Sequence, residues 1–485
     1  MKVELQDPAL FSFDDSFAGL GLLNQSQPRL MARVRAAFEE NRAFCQTHVR
    51  PLALASDLAL QRDPSALATE LLELALQHRR FTRFLPPLLG GWGDGTAIAP
   101  VVNAEETAAV DPAFVGVLSG HGLGMVALGC TMNLRVLDWF AARTVAGEKQ
   151  RPAFLVDCAI TEPNAGSDVE EAALVDHARL SCHAERVSDG AILRGRKCFI
   201  SGGHFASHHV VIMPFDRHRA RATMSVFLVP ADTPGFSLGR LEHKMGQKAG
   251  PASELVFEDC LVPAENIVLD AERLGCEAFE PLLYAVLGAT RIYVAAWATG
   301  IGRGAFEVAL RFAQRTRYRG RSLLSQQFAQ RCLIDMLANV HTSRAVYLQA
   351  LATLLAANGG SGLPELTGSA WFLALYQSLP SRMLHLNPRV QHSLLSRAAA
   401  RDASTTARVQ FQASLAKVVA SDLAMQNCQR ALELMGSAGL RHGAGAEKLF
   451  RDAKLCQIFE GTNQLNRLHM VQHALAGRGE NVEVF

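Results

Sequence analysis

Three short segments hold residues whose types and spacing could do chemistry. In Arg451-Asp-Ala-Lys-Leu-Cys-Gln-Ile-Phe-Glu-Gly-Thr-Asn-Gln464, Glu460 follows the apolar pair Ile458-Phe459 and precedes Gly461. Apolar neighbours disfavour a charged carboxylate, so its pKa rises toward that of a useful base. A solvated glutamate at a helix end before a glycine cap would look similar. In Cys158-Ala-Ile-Thr-Glu-Pro-Asn-Ala-Gly-Ser-Asp168, Pro163 and Gly166 force a loop. Its small residues let backbone N–H groups approach a flat or anionic ligand, and Thr161 and Ser167 add hydroxyls. An ordinary turn has the same composition. In Gly195-Arg-Lys-Cys-Phe-Ile-Ser-Gly-Gly203, Phe199 offers an apolar wall and Ser201 a hydrogen-bond donor. A planar cofactor needs both, although a plain strand running into a glycine turn also fits.

Such residues need elements to position them. The chain has 485 residues, 49% hydrophobic and 19% charged, which is ample for a large core. At roughly 100–200 residues per domain it should hold about two to four domains. Its net charge of +2, from 48 basic and 46 acidic residues, argues against a dedicated nucleic-acid binder. Ten cysteines stand singly, with no CxxC pair, which argues against a zinc ribbon and for a reducing compartment. The acidic start MKVELQDPALFSFDDSF resembles neither a signal nor a transit peptide. No uninterrupted run of about 18 apolar residues predicts a membrane span.

Helices are expected to about residue 150. Leu30, Val34, Phe38 and Phe44 recur at near-helical spacing, Gly90-Gly91-Trp92-Gly93 makes a break, and Pro100 to Leu137 is again helical. Asp111-Pro112 reads as a helix start. From about 152 to 270 strand and turn signals dominate. Asp189-Gly190 predicts a tight hairpin, Met224, Val226 and Leu228 one strand face, and Leu255, Phe257 and Leu261 another. A sandwich or barrel is expected there. Long helices return after about 275. Leu333, Met336, Leu337, Val340, Tyr347, Leu351 and Leu354 share one helix face, and a second helix spans roughly Gln412 to Met435. Between them, about 358–405 is less regular and holds Trp371, Phe372, Tyr376 and Met383; it reads as a surface insertion, an oligomer contact or a lid. His204, His208 and His209 lack metal-like spacing to other ligands. Gly120-His-Gly-Leu-Gly124 is not a nucleotide loop, because no strand precedes it.

Taken in order, the three segments resemble the acyl-CoA dehydrogenase family. The resemblance runs from about Gly90 to about Ala474 and is densest at Ile160–Asp168, Lys244–Asn266 (KMGQKAGPASELVFEDCLVPAEN) and Gly436–Arg467. Gly436 and Glu460 stand at the interval found in members whose base lies in the Glu-Gly-Thr segment. The resemblance implies an α+β multi-domain fold: an N-terminal α-helical domain (1–151), a middle β-barrel (152–272) and a C-terminal four-helix bundle (273–485) with an insertion at about 358–405. It also implies FAD, bound between the β domain and the C-terminal helices and touching a second subunit of a homodimer or homotetramer. The implied reaction is α,β-dehydrogenation of an acyl-CoA, or of an acyl-carrier thioester, to the 2-enoyl thioester. Electrons would pass to an electron-transfer flavoprotein, in cytoplasmic fatty acid or lipid metabolism.

Carried over residue by residue, the resemblance gives Cys158, Ile160, Thr161 and Ser167 to the flavin ring, with Ser167 also facing CoA. Phe199 would stack near the ring and Ser201 reach N5. Arg317, or alternatively Arg315, would meet the FAD pyrophosphate of the neighbouring subunit, and Gln327 makes a second contact. Glu433, Gly436 and Ser437 would border the adenosine half, and Thr462 and Gln464 contact FAD beyond the base. Arg291 stands where the family has a substrate-side arginine, and Gly461 joins Ser167 at the substrate. Glu460 would take the α proton while its backbone N–H bonds the thioester oxygen, and the β hydride would go to N5. Some members carry the base just before that arginine; Thr290 stands there and cannot act so. Departures from the family pattern are Asn164 for Gly, Phe199 for Trp, Ser201 for Thr, Phe459 for Tyr and Glu433 for Gln. A carboxylate at 433 would repel a pyrophosphate unless paired or protonated. Two competing functions are a flavin oxidase or monooxygenase of the same fold and a non-catalytic nucleic-acid binder. The latter would use Arg430, Arg441, Lys448, Arg451, Lys454 and Arg467.

Overall fold

The computed structural model describes residues 12–85, 91, 98–274, 279–357, 388–399 and 402–476. The Gly-Trp-Gly break, apart from Gly91, and Trp371, Phe372, Tyr376 and Met383 lie outside them. The longer N-terminal helices are α1 (Pro28–Phe44), α2 (Arg50–Arg62), α3 (Thr69–Gln77), α4 (Ile98–Val110), α5 (Pro112–Cys130) and α6 (Leu134–Gly147). Val34, Phe38 and Phe44 are buried on α1 as their spacing predicts. The apolar run from 100 to 137 is three helices, with the start expected at Asp111-Pro112 and a further break at Asn133, because polar caps interrupt it. Asp111 accepts from the Ala113 N–H with Pro112 in the first turn, and Asn133 accepts from the Val136 N–H.

The middle region holds eight strands: β1 (Val156–Ala159), β2 (His183–Val187), β3 (Gly190–Ser201), β4 (His208–Pro214), β5 (Met224–Pro230), β6 (Phe236–Leu241), β7 (Ala252–Pro263) and β8 (Ile267–Leu269). They form two four-stranded sheets, β1-β4-β5-β8 and β2-β3-β7-β6. No closed barrel forms among the described residues, so the barrel expectation is corrected to two open sheets sharing a core. The reason lies in the faces of β4 and β5. Val211, Met213, Phe227 and Val229 pack with Leu193, Leu255 and Phe257 of the second sheet. Val210, Ile212, Val226 and Leu228 pack with Leu128, Val136 and Phe140 from α5 and α6. With both faces buried, the first sheet is covered by helices instead of curling shut. The predicted hairpin turns at Ser188-Asp189, with Val187 paired to Gly190. Leu255 and Phe257 are buried, but Leu261 is exposed, because Asp259 at φ 51° shifts the alternation of β7.

The C-terminal region contains α7 (Phe279–Arg315), the hairpin β9 (Arg317–Tyr318) and β10 (Arg321–Ser322), α8 (Gln327–Ala357), α9 (Pro388–Ala399), α10 (Ala403–Met435), α11 (Ala446–Leu455) and α12 (Asn463–Ala476). The predicted Gln412–Met435 helix starts earlier, at Ala403, where Asp402 caps it by accepting from the Thr405 N–H. Part of the irregular 358–405 stretch is thus helix. Three long helices, α7, α8 and α10, share one core with α4 and α11. The described helices α5 and α7 are long and apolar enough to cross a membrane by composition, yet 56% and 78% of those windows are buried inside the protein.

Buried charges cross-link the N-terminal and C-terminal helices. Arg344 of α8 donates to both Glu105 oxygens (2.6 and 3.1 Å), and Tyr347 Oη donates to Glu105 at 2.6 Å. Arg303 of α7 and Arg42 of α1 both donate to Glu106 (2.7 and 3.1 Å). Burial alone would push Glu105 up, but Arg344 and its neighbours hold it below the usual carboxylate value. Removing one partner of such a pair leaves a buried charge uncompensated. Arg344→Met should therefore cost about 3 kcal/mol, read as a lowered denaturant midpoint. A change under about 1 kcal/mol would mean the pair behaves like a surface one.

Candidate active site

The turn between α11 and α12 carries Glu460 at φ 57° and Gly461 at φ 75°. A left-handed conformation costs a non-glycine residue roughly 1–2 kcal/mol, so its neighbours must hold it. Asn466 Nδ2 donates to the carbonyls of Glu460, Gly461 and Thr462 (3.2, 2.8 and 3.1 Å). Lys417 of α10 donates to the Gly461 carbonyl (2.6 Å) and to Asn463 Oδ1 (2.8 Å). Arg291 Nε donates to the Glu460 carbonyl at 3.2 Å. Phe459 packs on Trp297 of α7, ring centroids 5.3 Å apart.

The Glu460 side chain accepts from Thr290 Oγ1 at 2.5 Å. Burial raises the Glu460 pKa; the Thr290 hydrogen bond, Arg291 and Lys417 oppose the rise. The arrangement is a half-buried carboxyl with raised proton affinity and a fixed orientation, the form a general base takes. Thr290, placed by the resemblance at the alternative base position, instead donates to the Glu460 carboxyl and orients it. Arg291, expected on the substrate side, is fully buried beneath the turn. Its Nη1 lies 3.3 Å from Ser414 Oγ and 3.0 Å from His469 Nδ1.

The other two segments converge on this turn. The Thr462 N–H donates to Ser167 Oγ at 3.2 Å, which joins the Cys158–Asp168 loop to the Glu460 turn. The Cys198 N–H donates to the Thr161 carbonyl at 3.0 Å, which joins that loop to β3. Beneath the junction, Lys197 Nζ donates to the Ile160 carbonyl (2.8 Å) and Glu162 Oε1 (2.9 Å). A register shift between Lys197 and Ile200 puts Phe199 at φ 56°, with 57% of its surface exposed. Ser201 is exposed on the same strand, Ile160 and Thr161 are half-buried, and Cys158 is buried. An exposed aromatic on a strained bulge is an uncommon expense in a folded chain and suits a flat ligand. Gly120 and Gly124 of α5 serve packing: a Cβ at either would come within 2.6 Å of a β-strand carbonyl, of Ser201 or Asp157.

Arg317, Gln327, Glu433, Gly436 and Ser437 are exposed at one end of the helical region with Arg315 nearby, while Gln464, exposed on α12, lies at the Glu460 end beside Asn463, which accepts from Lys417. The antiparallel contact of Cys332 Sγ with the Arg430 carbonyl (3.9 Å) brings the start of α8 beside the end of α10. Lys417 and Glu433 share α10, roughly 24 Å apart at 1.5 Å per residue. The structure therefore spreads the expected residues along a helix length instead of gathering them at Glu460. Glu433 accepts from Gln429 Nε2 at 2.9 Å. Of the six basic residues expected on a nucleic-acid face, three are held by acids within 2.7 Å. Lys448 is buried between Asp111 and Asp452 (both 2.7 Å), Arg451 pairs with Asp57 (2.6 Å), and Arg467 pairs with Asp422 (2.5 Å). His209 pairs with Asp157 (2.7 Å), and His204 lies 2.7 Å from Ser253 Oγ.

Sequence reasoning missed Lys417, Glu170, Ser414, Asn466 and His469. A usable signal existed for Lys417, a single charge within the small apolar run Leu415-Ala-Lys-Val-Val-Ala420. Glu170 sat in an acidic run that reads as solvated surface. Thr290→Val removes the donor that favours ionised Glu460, so the Glu460 titration should move to higher pH by about one unit. The carboxyl C=O band in pH-difference infrared spectra reads that midpoint, and an unmoved or lower midpoint would contradict the assignment.

The chain matches the family model "Acyl-CoA dehydrogenase, middle domain" over residues 158–260 and "Acyl-CoA dehydrogenase, C-terminal domain" over 281–366 and 374–475. It is 32% identical over 326 residues to cyclohex-1-ene-1-carbonyl-CoA dehydrogenase of Geobacter metallireducens, covering 67% of this chain and 69% of that one. It is 27% identical over 451 residues to cyclohexane-1-carbonyl-CoA dehydrogenase of the same organism, covering 91% and 97%. The solved butyryl-CoA dehydrogenase of Megasphaera elsdenii has the same fold, with a TM-score of 0.67 at 24% identity over 91% of this chain and 98% of that one. With the Glu-Gly turn, the Ser167 loop and the β3 bulge converging as described, the chain belongs to the acyl-CoA dehydrogenase family of oxidoreductases.

Proposed function

We propose that this protein oxidises an acyl-CoA thioester to the 2-enoyl-CoA, with Glu460 as the base and FAD as the cofactor. The observation that carries the reading is the half-buried carboxyl of Glu460, fixed by Thr290 on a left-handed turn. A C–H beside a thioester carbonyl is a weak acid, and its removal needs an aligned carboxylate of raised proton affinity. The same turn presents the Glu460 backbone N–H, which would bond the thioester oxygen as enolate charge develops. Ser167 and Gly461 would border the substrate, while Arg291 supports the turn from below.

The residues present fit FAD. Phe199 and Ser201 stand exposed on the bulge, and a Cβ at Gly436 would meet nothing within 4 Å, so a ligand can lie against its backbone. Cys158, Ile160, Thr161, Phe199 and Ser201 would hold the ring, Thr462 and Gln464 the middle, and Arg317, Gln327, Glu433, Gly436 and Ser437 the pyrophosphate and adenosine. When bound, flavin supplies the hydride acceptor. The exposed end of the helices suits completion of the site by a second copy, as a homodimer or homotetramer. Domain limits at 1–151, 152–272 and 273–485, an electron-transfer flavoprotein as acceptor, and a cytoplasmic setting complete the reading.

The test is anaerobic titration of the purified protein with butyryl-CoA, cyclohexanecarbonyl-CoA and longer acyl-CoAs, watching flavin absorbance. At least one thioester should bleach the flavin, and Glu460→Gln should slow bleaching by at least about 100-fold while retaining flavin. Bleaching by none of the thioesters, or undiminished bleaching by the variant, would sink the reading. Separately, Arg317→Ala should weaken FAD retention on gel filtration with the secondary structure intact; full retention would remove Arg317 from the site.

A further inference from the structure

Behind the Glu460 turn lies a second carboxyl that the reading above leaves without a role. Glu170 ends the short helical turn Ser167–Glu170, whose first residue is tied to Thr462. Its Oε2 is shielded from solvent and has no hydrogen-bond partner among the described residues, and neither has Arg291 Nη2. A Cβ at Gly461 would lie 3.3 Å from each of these two atoms. Both atoms therefore lie against the bare Cα of Gly461, within twice that distance of each other. The glycine is needed here for space as well as for its φ.

The surrounding charges decide what Glu170 does. Arg291 of α7 and Lys417 of α10 supply two buried positive charges. Three carboxyls face them: Glu460, Glu170 and Glu171. Glu171 pairs with His469 of α12 and accepts from the Ala173 N–H, and these partners outweigh its burial and hold it ionised. Glu460 has the Thr290 hydroxyl. His469 and His473 are pushed down by burial, and Tyr284 is pushed up by burial, so all three stay neutral. Asp168, half-buried beside the turn, accepts from the Gly166 N–H and adds repulsion toward Glu170. Two cations against three carboxyls leaves one excess negative charge, which a buried site disfavours strongly. A single proton restores balance, and the carboxyl without a donor is where it is lost least readily.

Resting on the reading of Glu460 as the base, we propose that Glu170 is a positioning residue for the reaction. Its carboxyl, buried against the Glu460–Gly461 turn opposite Arg291, holds a proton at neutral pH and on releasing it strengthens Glu460 as a base. Burial first, then the charges of Glu460 and Asp168, push Glu170 up to about 8 against the opposing pull of Arg291 and Lys417. Below that pH Glu170 is neutral and Arg291 acts on Glu460 undiminished. Above it the new negative charge offsets Arg291 and raises the proton affinity of Glu460.

The test uses the full-length flavin-loaded protein with wild type, Glu170→Gln, Glu170→Asp and Glu460→Gln. Without substrate, pH-difference infrared spectra should show two carboxyl transitions in wild type. The later one, near pH 8, should vanish in Glu170→Gln and persist in Glu170→Asp. Lys417, pushed down to about 8 by burial, titrates in the same range but has no C=O band, so the two are separable. With butyryl-CoA or cyclohexanecarbonyl-CoA, whichever bleaches the flavin, the anaerobic reduction rate should rise several-fold through the later transition in wild type and Glu170→Asp. In Glu170→Gln the rise there should be clearly smaller, leaving only what loss of the Lys417 charge contributes. A later transition that survives in Glu170→Gln, or is lost in Glu170→Asp as well, overturns the proposal. So does a rate profile of Glu170→Gln that superimposes on wild type. If Glu460→Gln reduces flavin at the wild-type rate, the base assignment fails, and the infrared transitions still report on Glu170 independently.

Discussion

The constraint on which this structure depends is a carboxylate that must be half-buried, oriented and still ionisable. Burial works against its charge, and a left-handed backbone works against its conformation. Each cost is met by a named partner. Thr290 bonds the carboxyl, Arg291 and Lys417 supply positive field, and Asn466 gathers three successive carbonyls of the turn. Remove these and neither the conformation nor the charge of Glu460 would persist.

The larger architecture serves that turn. Helix α7 runs for 37 residues and brings Thr290 and Arg291 under the turn on one stretch while Trp297 packs against Phe459 one step further along. Helix α10 delivers Lys417 from the opposite side. The Glu105 and Glu106 networks pin α7 and α8 to the N-terminal helices, so the two supports do not slide relative to the rest. The sheets contribute a different surface. Their bulged strand β3 holds Phe199 outward, and the Ser167 loop ties that surface to the turn through the hydrogen bond from the Thr462 N–H to the Ser167 hydroxyl. The Glu460 carboxyl and the exposed Phe199 ring are thereby carried on separately stabilised parts joined through the Ser167 loop.

Much of this was legible in the sequence where the signal is local. The glycine after Glu460 and the small residues of the Ser167 loop marked turns that the structure contains, whereas the apolar pair before Glu460 misled in part, since Ile458 points to solvent and only Phe459 packs inward, on Trp297. Helix faces such as Leu333, Met336, Val340, Tyr347 and Leu351 announced burial, and all five are buried. What stayed hidden depends on distant contacts. Arg291 meets Ser414 and His469 at separations of 123 and 178 residues, so no window could show it lying beneath the turn. The break at Asn133 was missed because hydrophobicity continues through it while the capping signal is one side chain. Whether eight strands close into a barrel depends on which edges pair, and strand pattern alone does not encode that.

The most direct test of the central claim isolates the proton from the hydride. Incubating the protein in heavy water with an acyl-CoA that it binds, and following deuterium at the carbon beside the thioester by mass spectrometry, reads proton removal alone. Wild type should incorporate deuterium at that carbon, and Glu460→Gln, with flavin still bound, should not. Exchange in the variant at the wild-type rate would show that another group takes the proton and that the turn serves some other purpose.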